Sequence, residues 1–213
     1  MRKLVLRSVL ALTIAATAGV GANTVLASPA KVASTSFSLF PATANIPCMA
    51  KAPGKTPTAK ATVTRGGLND TLTLKLAGFK PGLAFDMFTV QNSNQSATGT
   101  PVAIPNFGMA WYQSDIEIGS KGTGTVTIKT ILLDQIFGFD PAVALTPTNT
   151  FHVGFWFNSP GAAAGCGFTG TTPFNGEHAA GPLAFITRPN ATTNLGPLCT
   201  SPHNVGTTFV CNP

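Results

Sequence analysis

Charged residues are scarce in this chain of 213 residues: only 9% are Asp, Glu, Lys or Arg, against about 25% in ordinary soluble domains. The 13 basic residues outnumber the 7 acidic ones, but they are scattered singly along the sequence. No stripe of bases could neutralise consecutive phosphates, so we do not expect nucleic acid as a partner despite the formal net charge of +6. A surface with so few charges must consist mainly of Thr, Ser, Asn, Gln and Gly.

Long apolar runs are also missing, with one exception at the N-terminus. A short basic head is followed by an apolar stretch at residues 9–20 and by small residues at 25–27. This pattern predicts a secretory signal peptide over residues 1–27, with cleavage after Ala27 or Ala30, and is typical of bacterial export. No later run approaches the roughly 20 residues of a spanning helix, so we expect no membrane span after cleavage and a secreted, extracellular location.

The four cysteines lack the C-x-x-C spacing of a structural zinc site. An even number of cysteines in an exported chain predicts two disulfides, for which three connectivities exist. We favour Cys48–Cys166, which would tie an N-terminal arm to the body. The second bridge would then be Cys199–Cys211, closing a short loop in the tail.

No segment carries the capped, amphipathic pattern of a helix with three or more turns. Several short alternating segments separated by turn residues are instead typical of an all-β sandwich or a partly open barrel. We expect an antiparallel β-sandwich stapled by the disulfides. The composition predicts an N-terminal arm or linker at 28–60, a β-sandwich domain at 61–188, and an irregular, disulfide-closed C-terminal tail at 189–213.

One pair of segments predicts a β-hairpin. Leucines alternate with polar residues over 71–76, and residues 83–91 form a second apolar segment. The Gly-Phe-Lys-Pro-Gly sequence at 78–82 favours a turn between them. The alternation slips between Met87 and Phe88, which indicates either a β-bulge or a strand buried on both faces.

The segment at 151–158 offers the main candidate binding face. Since side chains alternate across a strand, its Phe and Val residues should share the core face. His152, Trp156 and Asn158 should share the opposite face, where an indole, an imidazole and an amide could form a platform for a sugar ring. The alternative is that another segment covers this face and buries Trp156. Trp111 and Tyr112 form a second aromatic candidate pair.

Two carboxylates, Asp115 and Glu117, should project from one strand face. Such a pair can bind calcium or share acid–base work when partners lie at the right distance. No second acidic cluster or calcium-loop pattern lies near them in the sequence. We therefore favour a solvated strand face.

Residues 151–182 resemble the metal-loop region of the copper/zinc superoxide dismutases. The matching elements are Phe151-His152-Val153-Gly154, Gly165-Cys166, Pro173-Phe174-Asn175 and His178 followed by Gly181-Pro182. The resemblance implies a Greek-key sandwich of the dismutase type, with His152 in the place of a copper ligand, His178 of a zinc ligand and Cys166 of the bridging cysteine; an immunoglobulin-like sandwich is the alternative fold that the short alternating strands favour. Gly154 and Pro173 stand where further imidazoles belong, so it implies a related fold without dismutase chemistry.

Local signatures of known chemistries are missing: the sequence holds no H-E-x-x-H, G-x-S-x-G, P-loop or dinucleotide motif. The leading interpretation is a secreted, non-catalytic β-sandwich, either a structural component of the cell exterior or a module that binds a carbohydrate or another cell-surface ligand without a cofactor. One alternative is an extracellular metal-binding protein, or a degenerate dismutase-like domain, that uses His152 and His178. Another is a secreted hydrolase with dispersed catalytic residues.

Overall fold

The computed structural model describes residues 33–67, 69–103, 107–130, 133–140, 145–170 and 179–211, with backbone alone for 133–140 and 145–150. These residues are mainly in β-strands. The strands are β1 (Ser34–Pro41), β2 (Thr58–Thr64), β3 (Asp70–Ala77), β4 (Ala84–Val90), β5 (Ala110–Glu117), β6 (Thr123–Thr130), β7 (Leu133–Asp140), β8 (Leu145–Thr150), β9 (His152–Phe157), β10 (Leu183–Ile186), β11 (Pro202–Val205) and β12 (Thr208–Cys211). The helical elements are the α-helix α1 (Ile46–Met49) and 3₁₀ turns at Thr43–Asn45 and Pro160–Cys166. No helix in the described ranges is both long and apolar enough to span a membrane.

Eight of the strands form one antiparallel sheet in the order β5-β4-β9-β10-β1-β2-β3-β6. Its two end strands follow each other in the chain, joined by a tight turn in which the Gly119 N–H donates to the Thr123 carbonyl at 3.0 Å. The sheet is therefore nearly closed, like a barrel. The all-β, antiparallel class is confirmed, but the expected two-sheet sandwich with Greek-key topology is not.

The expected arm at 28–60 contains a central strand of this sheet. β1 pairs with β2 from Ser34 to Leu39 and then with β10 at Phe40 and Pro41. Leu39 is buried in the core, which explains why this stretch forms a strand despite the Ala, Pro and Thr around it. The structure thus has a strand of the main sheet at Ser34–Pro41, where an arm or linker was expected.

The expected hairpin between residues 71–76 and 83–91 is wrong. β3 pairs with β2 on one edge and with β6 on the other, so neither edge is left for β4, which pairs with β5 and β9. Between them, Phe79 is fully buried, and its neighbours are bonded to residues near α1 and the 118–122 turn. The 78–82 segment therefore connects β3 to β4 in a different part of the sheet, and its Phe79 ring packs in the core.

The main core lies inside the curved sheet. β3 contributes three leucines, and β4, β9 and β10 contribute phenylalanine rings that pack edge to face or stacked. Phe155 and Phe185 stack with centroids 5.1 Å apart and planes 15° apart. The inward face predicted for 151–158 is confirmed, because Phe151, Val153, Phe155 and Phe157 all belong to this core.

The structure contains two disulfides with the connectivity favoured from the sequence. Cys48–Cys166 joins α1 to the 3₁₀ turn at Pro160–Cys166, across 118 residues of chain. Cys199–Cys211 closes the C-terminal segment, where β11 and β12 form a small hairpin in the tail that was expected to be mostly irregular. The two bridges are compatible with an extracellular protein.

Candidate functional site

The outward face of β9 is covered rather than open. His152 and Trp156 are each 3% exposed, whereas Asn158 is half-buried. Trp156 packs against Phe88 at 4.1 Å between ring centroids and against Phe107 at 6.0 Å. The expected sugar platform on Trp156 is thus replaced by a small second hydrophobic cluster on the outside of the sheet.

The side chain of Asn158 forms a hydrogen bond with a residue of the neighbouring strand β4. Its Nδ2 donates to Oδ1 of Asp86 at 3.0 Å, and Asp86 is buried in β4 opposite Trp156. This bond satisfies a buried carboxylate and explains why an amide stands at position 158. We assign Asn158 a structural contact instead of a place on a ligand platform.

Trp111 and Tyr112 are 52% and 46% exposed on β5. The register between β4 and β5 shifts between Met87 and Phe88, but the extra residue of this bulge is Gln113 of β5, and β4 keeps a regular register with β9. β4 is also almost entirely buried on both faces. Neither aromatic residue lines the cavities around His152 described below.

Gly154 has a packing role that also bears on the metal hypothesis. A Cβ atom at this position would lie 2.7 Å from Cζ of Phe88 and 3.0 Å from the carbonyl oxygen of Phe185. An imidazole therefore does not fit where the dismutase resemblance would need a ligand. Among the residues that the structure describes, no group of three His, Cys, Asp or Glu side chains could hold a metal ion, and His178 lies outside the described residues. Asp115 and Glu117 are exposed, as expected for a solvated strand face.

His152 lies at the meeting point of two open cavities. The first, about 290 Å³, runs between the end of β4, the start of β9, the loop at 194–196 and the hairpin strand β12. The second, about 260 Å³, continues along residues 91–97 towards Val102 and Pro189. Gln91, Asn92 and Asn194 line both cavities together with His152. We call this continuous depression the amide groove.

Hydrogen bonds hold the imidazole of His152 in place. Its Nδ1 lies 3.0 Å from Oγ1 of Thr187, and this hydroxyl oxygen also accepts a bond from the Val153 N–H at 3.1 Å. Burial lowers the pKa of His152 from 6.5 to about 4, an effect that hydrogen bonding to Thr187 partly opposes. The ring is therefore neutral at pH 7 and offers one N–H donor and one acceptor nitrogen.

The loop that forms one wall of the groove is fixed by local bonds. Oδ1 of Asn190 accepts bonds from the backbone N–H groups of Thr192 and Thr193, at 2.9 and 3.1 Å. Asn194 then adopts a φ of 57°, a left-handed conformation that Asn tolerates better than most residues. Gly196 lies directly on the backbone of β9, where a Cβ atom would be 2.9 Å from the His152 nitrogen. Only glycine permits this close approach.

Sequence reasoning found His152 but missed its groove partners. Gln91, Asn92 and Asn194 lie in separate loops, and no local pattern connects them. The strongest available signal was the abundance of amide side chains in segments that also contain turn residues. No protein-family model, curated protein or solved structure matches this chain.

Proposed function

We propose that this protein is a secreted, non-catalytic binding module whose amide groove takes a polyhydroxylated ligand of the carbohydrate class. The observation that carries the proposal is the lining of the groove. Its described side chains include two Asn, two Gln and the neutral His152, none of which carries a formal charge, and the amides of Gln91, Asn92 and Asn194 offer both donors and acceptors. Sugar hydroxyls, which both donate and accept, are complementary to such a lining.

The partly exposed ring of Phe209 supplies an apolar wall. It lies on β12 and lines the first cavity together with Val210 of the same strand. Ligand sites commonly combine apolar surface with a few fixed polar groups that set orientation. A sugar ring has the same character, because its C–H faces are apolar and its rim is polar. Secretion is supported by the N-terminal pattern and is compatible with the two disulfides.

Hydrolysis is the competing function, because Ser93 and Ser96 line the second cavity together with His152. However, Nδ1 of His152 contacts the Thr187 hydroxyl, whereas a Ser–His–Asp triad needs a carboxylate at that nitrogen. Oγ of Ser93 already accepts a bond from the Gln95 N–H at 3.2 Å. These contacts favour binding over catalysis.

A glycan array probed with the purified protein, with both disulfides intact, tests the proposal. The expected result is retention of a defined set of glycans. Asn92→Ala should then weaken binding about fivefold, since a hydrogen bond is worth on the order of 1 kcal/mol. Asn204→Ala is the matched control, because Asn204 is exposed on β11 and does not line the groove. An array without binding, or equal binding by both variants, contradicts the proposal.

A further inference from the structure

Arg188 is a cation held rigidly without an acidic partner among the described residues. Its Nε donates to Oε1 of Gln95 at 2.9 Å, and its Cζ lies 3.7 Å from the centre of the Phe40 ring. The ion pair in the described part of the chain joins Arg65 to Asp70 and does not involve Arg188. A half-buried guanidinium is normally paired with a carboxylate. Because Arg188 has no such partner in the described ranges, we expect it to bind an anion that is not part of the chain.

The fixed contacts determine which edge of the guanidinium is available. Gln95 occupies Nε and Phe40 covers one face, whereas the two Nη groups meet no acceptor in the described ranges. Gly99 lies against these groups, and a Cβ there would overlap Nη2. The glycine therefore makes room for the guanidinium at this position. Two parallel Nη–H donors match the geometry of a carboxylate, which can accept both at once.

Arg188 lines a cavity of about 170 Å³ that adjoins the amide groove. Gln95 lines both this cavity and the second cavity of the groove, so a single extended ligand could occupy them together. Asn94 also lines the small cavity, and its buried Oδ1 meets no donor among the described residues. A buried acceptor without a donor is unfavourable, and a ligand hydroxyl beside the carboxylate would satisfy it.

We propose that Arg188 binds the carboxylate of a sugar acid whose remaining rings lie in the amide groove. This inference rests on the proposed carbohydrate function and names the ligand class within it. The cavity provides a fork of donors for the carboxylate and an acceptor for a neighbouring hydroxyl. A uronic acid residue carries both groups on one ring.

The test uses two probes that differ only at the carboxyl group: glucuronate, which is charged at pH 7, and its neutral methyl ester. Binding to the protein with both disulfides intact is measured by isothermal titration or by ligand-observed NMR at pH 7. We expect glucuronate to bind about tenfold or more tightly than the ester, because a charge-assisted bidentate pair is stronger than a neutral contact. Addition of salt should reduce this advantage.

Three variants separate recognition by Arg188 from general attraction between charges. Arg188→Gln should abolish the preference for glucuronate over the ester, and Arg188→Lys, which keeps the charge but not the fork, should reduce it. Lys75→Gln removes an exposed cation on β3 and should change nothing. Melting temperatures and ester binding show whether each variant is folded, because the ester still needs an intact groove.

The outcomes distinguish this inference from the function on which it depends. Equal affinities for glucuronate and its ester, or an unchanged preference in Arg188→Gln, overturn the carboxylate assignment and leave glycan binding standing. The same holds if neither probe binds while other glycans are retained on the array. If no glycan binds at all, both the proposed function and this inference fail.

Discussion

Acidification should destabilise the fold through His152. In the native state its pKa is about 4, whereas an unfolded histidine has a pKa near 6.5. Between these values the unfolded chain binds a proton that the native chain does not. The contribution of neutral His152 to the free energy of unfolding is therefore fully present above about pH 6.5, and it is lost as the pH falls towards 4.

The magnitude follows from the difference in pKa. The shift of roughly 2.5 units corresponds to a total loss of about 3 kcal/mol below pH 4, at 1.36 kcal/mol per unit. At pH 5 about 2 kcal/mol of this is already lost, because the unfolded histidine is almost fully protonated there. A loss of that size is a large part of the 5–15 kcal/mol that typically stabilises a domain.

Urea unfolding at pH 7.5 and pH 5.0 measures this loss, with the fluorescence of buried Trp156 as one probe. His152→Asn keeps a polar atom near the position of Nδ1 but does not titrate. Its loss of stability between the two pH values should be about 2 kcal/mol smaller than that of the native chain. His203→Asn, which removes an imidazole from β11, should retain the native dependence. If the native chain and His152→Asn lose equal stability, the reasoning is refuted.

Three further predictions concern packing and covalent links. Gly154→Ala should lower the free energy of unfolding in urea by about 1–3 kcal/mol, because the added methyl group would press on Phe88. Gly161→Ala is the control and should change it by no more than about 0.5 kcal/mol, because no atom lies within 4 Å of the added Cβ. Similar losses in the two variants would contradict the packing account. Trp156→Ala should lose about 3–5 kcal/mol, as expected for a buried indole, and an unchanged melting temperature would mean that this ring is not core. Replacing Cys199 and Cys211 by Ser should release the β11–β12 hairpin and weaken glycan binding, since Phe209 and Val210 line the groove. Amide hydrogen exchange should then rise in that hairpin but not in β9, and faster exchange throughout the sheet would refute a local effect.

The elements that could be predicted from the sequence are those set by local periodicity. The leucines of β3 and the inward phenylalanines of β9 reveal their buried faces through a repeat of two residues. The slip beside Met87 reflects the burial of β4 on both faces, since the extra residue of the bulge belongs to β5. Local periodicity does not encode which strand lies beside which, so the pairing of β3 with β6 instead of β4 could not be seen.

The candidate site was partly predictable for a related reason. Alternation showed that His152 and Trp156 share a face, but it carries no information about what covers that face. The covering residues, among them Phe107 and Ala180, come from distant segments. The amides of the groove and Arg188 are likewise brought together only by the tertiary fold.

β1 has a consequence for how the chain folds. It is the first strand of the described chain, yet its end pairs with β10, with Phe40 opposite Ile186. The sheet cannot close until almost the whole polypeptide is available, and contacts of such long sequence separation slow folding. Until β10 is available, β1 and β9 each present an unpaired edge that favours aggregation. Closure of the sheet therefore has to wait for its last strands, an order of events that would suit the secretion proposed above.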